Sequence, residues 1–310
     1  MPAVTFGISL GSFGAGMVTV PTLVDWAVEA EVLGYDYVWC RDHVLWHSPV
    51  LDPFTMLGAI AARTSRVKLG PGVLLVPLRS PAPVAKAVAT LDHLSSGRAV
   101  LGVGVGGEFP KEFEACGVPR EARGRRTDEA LDAMRALWTT APATFKGEFF
   151  SFEDAVMEPR PVQQPHPPIW VGGRSDAALA RAARFGAGWF AYFVTPDGFA
   201  RRLAQVNARR PDGVPPADGG LVIYAALART REDGRRIARE YLANEYHQPF
   251  DDLVDRYCAL GSPESCAETI TRFIDAGARH FTVIPACPPE RFMDDLRAVA
   301  ADVIPLVTRR

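Results

Sequence analysis

Apolar residues along the chain fall into short runs suited to strands, and between the runs they recur every three or four positions, as on one face of a helix. The first run covers 4–10. A glycine-rich loop with Gly11, Gly14 and Gly16 follows, then a helical pattern with Leu23, Ala27, Ala30 and Leu33 on one face, stopped by Gly34. The pattern next predicts a strand over 35–40, a helix over 52–63, a strand over 67–76, a helix over 81–94 and a strand over 98–105. The helix paired with that fourth strand is delayed to 123–138, where Leu131, Met134 and Trp138 share a face, so a long loop intervenes. A short extended excursion over 145–152 precedes Pro167 and Pro168, which introduce a fifth strand over 169–171. Ser175 begins a helix ending near Phe185, and 189–193 is a sixth strand. A helix over 196–209, a loop over 211–220 with Gly213 and Gly219 as turn residues, and a seventh strand over 221–228 lead to a charged helix from Arg231. A loop or short helix near 247–257 is expected before Ser262 and Pro263, the N-cap and first turn of a helix through Ala276. The eighth strand is 280–284 and the last helix 289–303.

Eight short strands alternating mostly with helices, and no internal linker, predict an α/β fold: a single (β/α)8 TIM barrel over 1–310 with insertion segments in the βα loops. The strands are apolar without strict alternation. This suits a barrel, where side chains cover one face and helices the other.

Composition narrows the function classes. Hydrophobic residues make up 48% and charged residues 23% of the 310, ordinary globular usage. Net charge is -2 with both signs mixed, and no basic stripe interleaved with aromatics offers a track for nucleic acid. No stretch nears the roughly 20 apolar residues of a membrane span, and the start lacks a secretory leader pattern, so a cytoplasmic protein without a membrane partner is expected. The five cysteines, Cys40, Cys116, Cys258, Cys266 and Cys287, form no close pair and read as reduced and mostly buried.

In such a barrel, catalytic groups lie just past the C-terminal ends of the strands, where the βα loops converge. After strand two, residues 39–47 combine titratable and aromatic side chains densely. His43 is the candidate proton carrier, and Asp42 beside it is expected to set its orientation or charge. A structural histidine is the competing reading. His43 and His47, four apart, resemble a metal pair, but no His-x-His or His-Glu-x-x-His accompanies them, and no metal is expected.

After strand three, Gly70 and Gly72 interrupt a β-type run, which suggests a bulge, a close approach to a ligand, or ordinary barrel packing. After strand four, Gly102, Gly104 and Gly107 spell a Gly-x-Gly-x-x-Gly. A dinucleotide-binding reading would use Asp128 for ribose, yet Asp128 sits inside a helical pattern. Glu108 closes the glycine run with Phe109 beside it. Desolvation there would make it an acid, while a solvated loop carboxylate is the plain alternative. After strand five, Gly172, Gly173, Arg174 and Ser175 open a helix whose free N–H groups suit a phosphate, a plain tight turn being the alternative.

At these residues the chain resembles the luciferase-like flavin and deazaflavin oxidoreductases, a (β/α)8-barrel superfamily using FMN or coenzyme F420. The resemblance is carried by Asp42-His43, 101–107, 112–117, 123–138, 167–173 and 187–189, in that order over nearly the whole chain. It implies that His43 and Glu108 flank the redox ring as in the F420-dependent members, with Trp46 the accompanying aromatic and Asp42, Gly106 and Gly107 among the cofactor-binding residues. It also implies a non-proline cis peptide at Gly72-Val73 backing that ring, and a phosphate held at Gly172 and Gly173 with Arg174 and Ser175. The implied activity is hydride transfer between C5 of F420 and a small organic substrate. The alternatives are an FMN-dependent monooxygenase using reduced flavin and O2, supplied by a separate flavin reductase, and a non-catalytic flavin-binding barrel. A hydrolase barrel lacks a Gly-x-Ser-x-Gly turn or clustered metal ligands here. A homodimer is left open.

Overall fold

In the computed structural model, which describes residues 3–10, 19–247 and 249–308, the first apolar run forms β1 (Thr5–Leu10) and α1 (Val20–Val32) follows it. Leu23, Ala27 and Ala30 are buried as the spacing predicts, and Gly34, at φ +95°, turns the chain into β2 (Tyr37–Cys40). The glycine-rich loop between β1 and α1, with Gly11, Gly14 and Gly16, lies outside the described residues.

Helix α2 (Pro53–Ala61) is capped by Asp52, whose side chain accepts from Thr55 N. The third expected strand is split into β3 (Lys68–Pro71) and β4 (Leu74–Leu75), and the Gly72–Val73 peptide between them is cis. After α3 (Pro81–Leu94), β5 (Leu101–Gly104) runs into the long loop, which holds the short α4 (Pro110–Ala115). In α5 (Arg123–Thr139), Leu131, Met134 and Trp138 are buried as predicted. Asp128 pairs with Arg181 at 2.6 Å, which removes the ribose-binding reading. The extended excursion is an antiparallel hairpin of β6 (Ala143–Lys146) and β7 (Ser151–Ala155).

The second half alternates β8 (Ile169–Gly172), α6 (Asp176–Phe185), β9 (Gly188–Tyr192), α7 (Pro196–Ala208), β10 (Asp218–Leu227) and α8 (Arg231–Tyr246). Gly213 makes a turn at φ +80°, but Gly219, expected in the same loop, is inside β10, where a side chain would meet the Phe199 ring at 2.9 Å. The short α9 (Leu253–Tyr257) leads into a strand that the apolar pattern did not reveal, β11 (Cys258–Gly261). It has a clear physical place: β9 pairs with β10 only over Asp218–Val222, and β11 takes the edge left open from Tyr224 to Leu227. Ser262 caps α10 (Pro263–Asp275) as expected, and β12 (Ala278–Pro285) precedes the final helical segments α11 (Phe292–Ala298) and α12 (Ile304–Thr308).

All ladders outside the hairpin are parallel, in the order β3, β2, β1, β12, β10, β9, β8, β5, β4. The two ends of that order are the halves of one interrupted strand, and Leu69 bridges to Ala99, so the sheet closes into the (β/α)8 barrel. Inside, beneath the strand ends, Tyr37, Trp39, Trp170 and Phe190 form an aromatic layer around His280, with Val100 packed into the same cluster. Trp39 Nε1 can only donate, so the His280 Nε2 that it reaches at 3.2 Å is the acceptor, and Nδ1 carries the proton toward Thr5 Oγ1 at 3.1 Å. Burial pushes the pKa of this histidine down to about 3. The layer is a neutral, packed floor for whatever sits above it. The five cysteines are free, four of them buried.

Candidate active site

The cavity opens at the C-terminal ends of the strands, as the barrel rule requires. Strand alternation supplies much of its lining. Phe190 and Tyr192 on β9, Val222 and Tyr224 on β10, and Thr282 and Ile284 on β12 are each two residues apart and share the inner face. Asp42, His43, Trp46, Gly72, Val73, Gly106, Glu108, Gly172 and Gly173, all anticipated from the sequence, also line it.

One wall is bare backbone. A side chain at Gly104 would come within 2.5 Å of Val73 Cγ2, and one at Gly172 within 3.2 Å of Val73 Cγ1, so Val73 lies against strands that have nothing to displace it. Gly106 takes φ +60° at the end of this wall. The flat surface made by these glycines and Val73 fits a planar ring system. Gly107 does not line the cavity; it is buried beside Arg123, whose Nε a side chain there would meet at 3.0 Å.

His43 follows β2. Its Nδ1 lies 3.3 Å from Glu112 Oε2, which also accepts from Val44 N at 3.3 Å. Glu112 is fully buried on α4, and its Oε1 has no partner. With Glu112 Oε2 as the acceptor, as it is toward Val44 N, Nδ1 carries the proton and Nε2 is left with a free lone pair. Trp46 stacks on His43 at 4.0 Å and meets His47, tilted, at 4.1 Å. Among the described residues no group of three or more His, Cys, Asp or Glu is arranged to hold a metal ion.

Asp42 does not orient His43. Its carboxylate accepts from Leu75 N at 2.8 Å and from both terminal nitrogens of Arg79 at 2.7 Å, with the side chain fully buried. Burial pushes its carboxyl up, and the Arg79 pair and the Leu75 N–H work against that rise. Adjacent residues past a strand end point in different directions, so neighbours in sequence need not share a site. The orienting carboxylate comes instead from a helix 69 residues away.

Glu108 sits at the exposed rim rather than in the apolar enclosure that Phe109 suggested; Phe109 packs toward Trp46 at 5.8 Å. The Glu108 carboxylate accepts from Tyr192 OH at 3.3 Å. Burial, with Glu108 adding to it, pushes the Tyr192 phenol up to about 12. Arg41, Tyr192, Tyr224 and Tyr246 were not singled out from the sequence; for the two strand tyrosines the signal was the inward alternation at the ends of β9 and β10. Arg41 is ion-paired with Glu245, and the Tyr224 and Tyr246 hydroxyls meet at 2.8 Å.

At the β8–α6 turn, Gly173 takes φ +122° and a side chain there would meet Ala178 at 2.8 Å. Ser175 is outside the cavity lining and caps α6, its hydroxyl accepting from Ala178 N. Arg174 is also outside the lining. It is exposed, donates to Phe193 O at 2.9 Å and lies over the Tyr192 ring at 4.8 Å. The helix N-terminus, the glycine turn and the nearby guanidinium together suit an anion.

Fold and site together define a (β/α)8 barrel with an open cavity at its strand ends. The chain belongs to the luciferase-like monooxygenase family, which matches residues 4–280. An F420-dependent glucose-6-phosphate dehydrogenase of Kineococcus radiotolerans is 31% identical, covering 92% of each chain. An FMNH(2)-dependent dimethylsulfone monooxygenase of Pseudomonas putida is 32% identical, covering 82% of this chain and 72% of that one. A crystal structure of a monooxygenase from Streptomyces bottropensis superposes with TM-score 0.85 at 25% identity, covering 97% of this chain and 99% of that one. These relatives are oxidoreductases. Among the described residues no helix is long and apolar enough to cross a membrane.

Proposed function

We propose that this chain, as one catalytic barrel domain, is an F420-dependent oxidoreductase acting on a small organic substrate. The observation that carries the reading is His43, held through Nδ1 by buried Glu112, stacked on Trp46 and sharing one cavity with Glu108. Kinship with the F420-dependent relative at 31% identity supports it.

When bound, the deazaflavin supplies hydride transfer at C5; the protein supplies position and proton movement. The glycine-and-valine wall formed by Gly72, Val73, Gly106 and Gly172 would carry the ring. The turn at Gly172 and Gly173, with Arg174 and the α6 N-terminus beyond Ser175, would hold the cofactor phosphate. His43 moves the substrate proton through the nitrogen not engaged by Glu112, and Glu108, bonded to Tyr192, is the second proton-transfer group. Asp42 serves by holding Arg79 and the Leu75 backbone, which shapes the wall from behind.

The second reading, an FMN-dependent monooxygenase served by a separate reductase, is favoured by the Pseudomonas relative, and the same bare wall suits either ring. Fluorescence titration of the purified protein with oxidised F420 and with FMN separates the two. Saturable F420 binding is expected; tight FMN binding with no response to F420 overturns the cofactor assignment.

A further inference from the structure

We propose that the substrate half of this cavity is built for an uncharged, oxygen-bearing small molecule, an alcohol or carbonyl compound, and that it rejects phosphorylated and carboxylate substrates. The proposal rests on the F420 reading for which wall the cofactor covers; the opposite wall is the one considered.

The charges there are already matched. Arg41 and His43 are the lining side chains able to carry positive charge, and each faces a carboxylate: Arg41 faces Glu245, and His43 faces Glu112. The Arg41 and Glu245 side chains are only 18% and 11% exposed, so neither is a solvated surface group free to change partners cheaply. Burial works against the charged form of Arg41, and the Glu245 carboxylate together with Tyr224, Tyr246 and Tyr241 outweighs it. Asp42 is matched by Arg79. Among the described residues, the lining carboxylate without a cationic partner is Glu108, so the one unmatched charged side chain in the cavity is acidic. Arg174 does not line the cavity, and its guanidinium is engaged with Phe193 O and the Tyr192 ring. Of the residues outside the described ones, 11–18 and Gln248 carry no Lys, Arg or His, and the only arginines among them are the terminal Arg309 and Arg310. An anion entering this half would lose its hydration, meet Glu108 and gain no unmatched positive partner.

The neutral groups point the same way. Tyr224 and Tyr246 both line the cavity, and their hydroxyls share one contact at 2.8 Å. Two O–H groups make that single contact, so one of the two protons is left to donate to a ligand oxygen. Burial pushes both phenols up from their usual range and keeps them protonated donors. Phe190, Val222 and Ile284 give the surrounding surface its apolar character. A site with a satisfied ion pair, a spare phenolic donor and apolar sides selects a neutral oxygen acceptor.

The test compares two ligands of nearly the same shape, methyl cyclohexyl ketone and cyclohexanecarboxylate. Binding is read from the thermal unfolding midpoint at constant ionic strength, with excess inorganic phosphate present to fill the anion turn at Gly172 and Gly173, before and after adding F420. The ketone should raise the midpoint saturably and the carboxylate should not; with F420 bound, a hexose phosphate should also give no response. In Glu245→Gln, Arg41 loses its counter-charge, and carboxylate affinity should rise at least about tenfold. Three results overturn the proposal: carboxylate binding to the wild-type protein as tight as ketone binding, binding of neither ligand, or a saturable hexose phosphate response with F420 bound. A failure of F420 itself to bind counts against the cofactor reading alone, since the ketone and carboxylate comparison stands on the cofactor-free protein. If Glu245→Gln does not fold, the wild-type comparison decides.

Discussion

Glu112, wholly buried on a short helix, sits 3.3 Å from Nδ1 of His43, while Asp42, next to His43 in the chain, is turned away and clasped by Arg79. The proton-bearing nitrogen of the imidazole is therefore set from a distant segment, and the adjacent carboxylate has a structural task. The two acids should respond differently to removal.

Glu112→Gln keeps the shape but lets the amide donate, so His43 no longer has a fixed tautomer. Turnover should fall by about 10²-fold, the scale of a misplaced proton carrier. F420 affinity should change little. Because Glu112 acts through His43, the pH profile of kcat should shift in the variant; an unmoved profile with reduced turnover would assign Glu112 a purely structural role.

Asp42→Asn removes half of a buried ion pair and leaves Arg79 only the exposed Asp52 carboxylate, 4.0 Å away. The expected cost is about 3 kcal/mol of stability, read as a lower denaturant midpoint. Double substitution with Arg79→Met should recover part of it; no recovery would mean that the pair is not the source of the loss.

His280 gives stability a pH dependence with a definite sign. Burial lowers its folded pKa to about 3, whereas the unfolded chain takes up a proton near the ordinary value of about 6.5. Between these values the unfolded state binds a proton that the folded state refuses, so stability is lost as pH falls through that window, at up to about 1.4 kcal/mol per pH unit from this group. His280→Gln can still accept from Trp39 and donate to Thr5 but does not titrate, so its stability should fall less steeply from pH 6.5 to 4. An identical slope would show that other groups carry the effect.

Gly104→Ala places a methyl group 2.5 Å from Val73 Cγ2. Overpacking of about 1–3 kcal/mol should appear in stability. Displacement of Val73 should also weaken cofactor binding in the fluorescence titration. Unchanged affinity would separate Val73 from the cofactor wall.

Much of the barrel was legible because each strand is a short apolar run and each helix carries one buried stripe; Leu131, Met134 and Trp138 lie where their spacing puts them. Strand β11 escaped because four residues carry little periodicity, and its place depends on an edge left open by the short β9. The glycine wall, His43 and Glu108 were legible as residue types at strand ends. The Glu112 partnership was not, since it joins segments 69 residues apart and depends on how α4 folds back over β2. The acidic neighbour in sequence was the wrong carboxylate for the same reason: local order does not fix side-chain direction past a strand end.

In the proposed reaction His43 and Glu108 move the proton that accompanies hydride transfer on F420. This is tested most directly by measuring kcat and the F420 dissociation constant on the same preparations of wild type, His43→Ala and Glu108→Gln. Turnover should fall by about 10²–10⁴-fold in each variant, with the dissociation constant held within a few-fold. Full activity in both variants would contradict the claim.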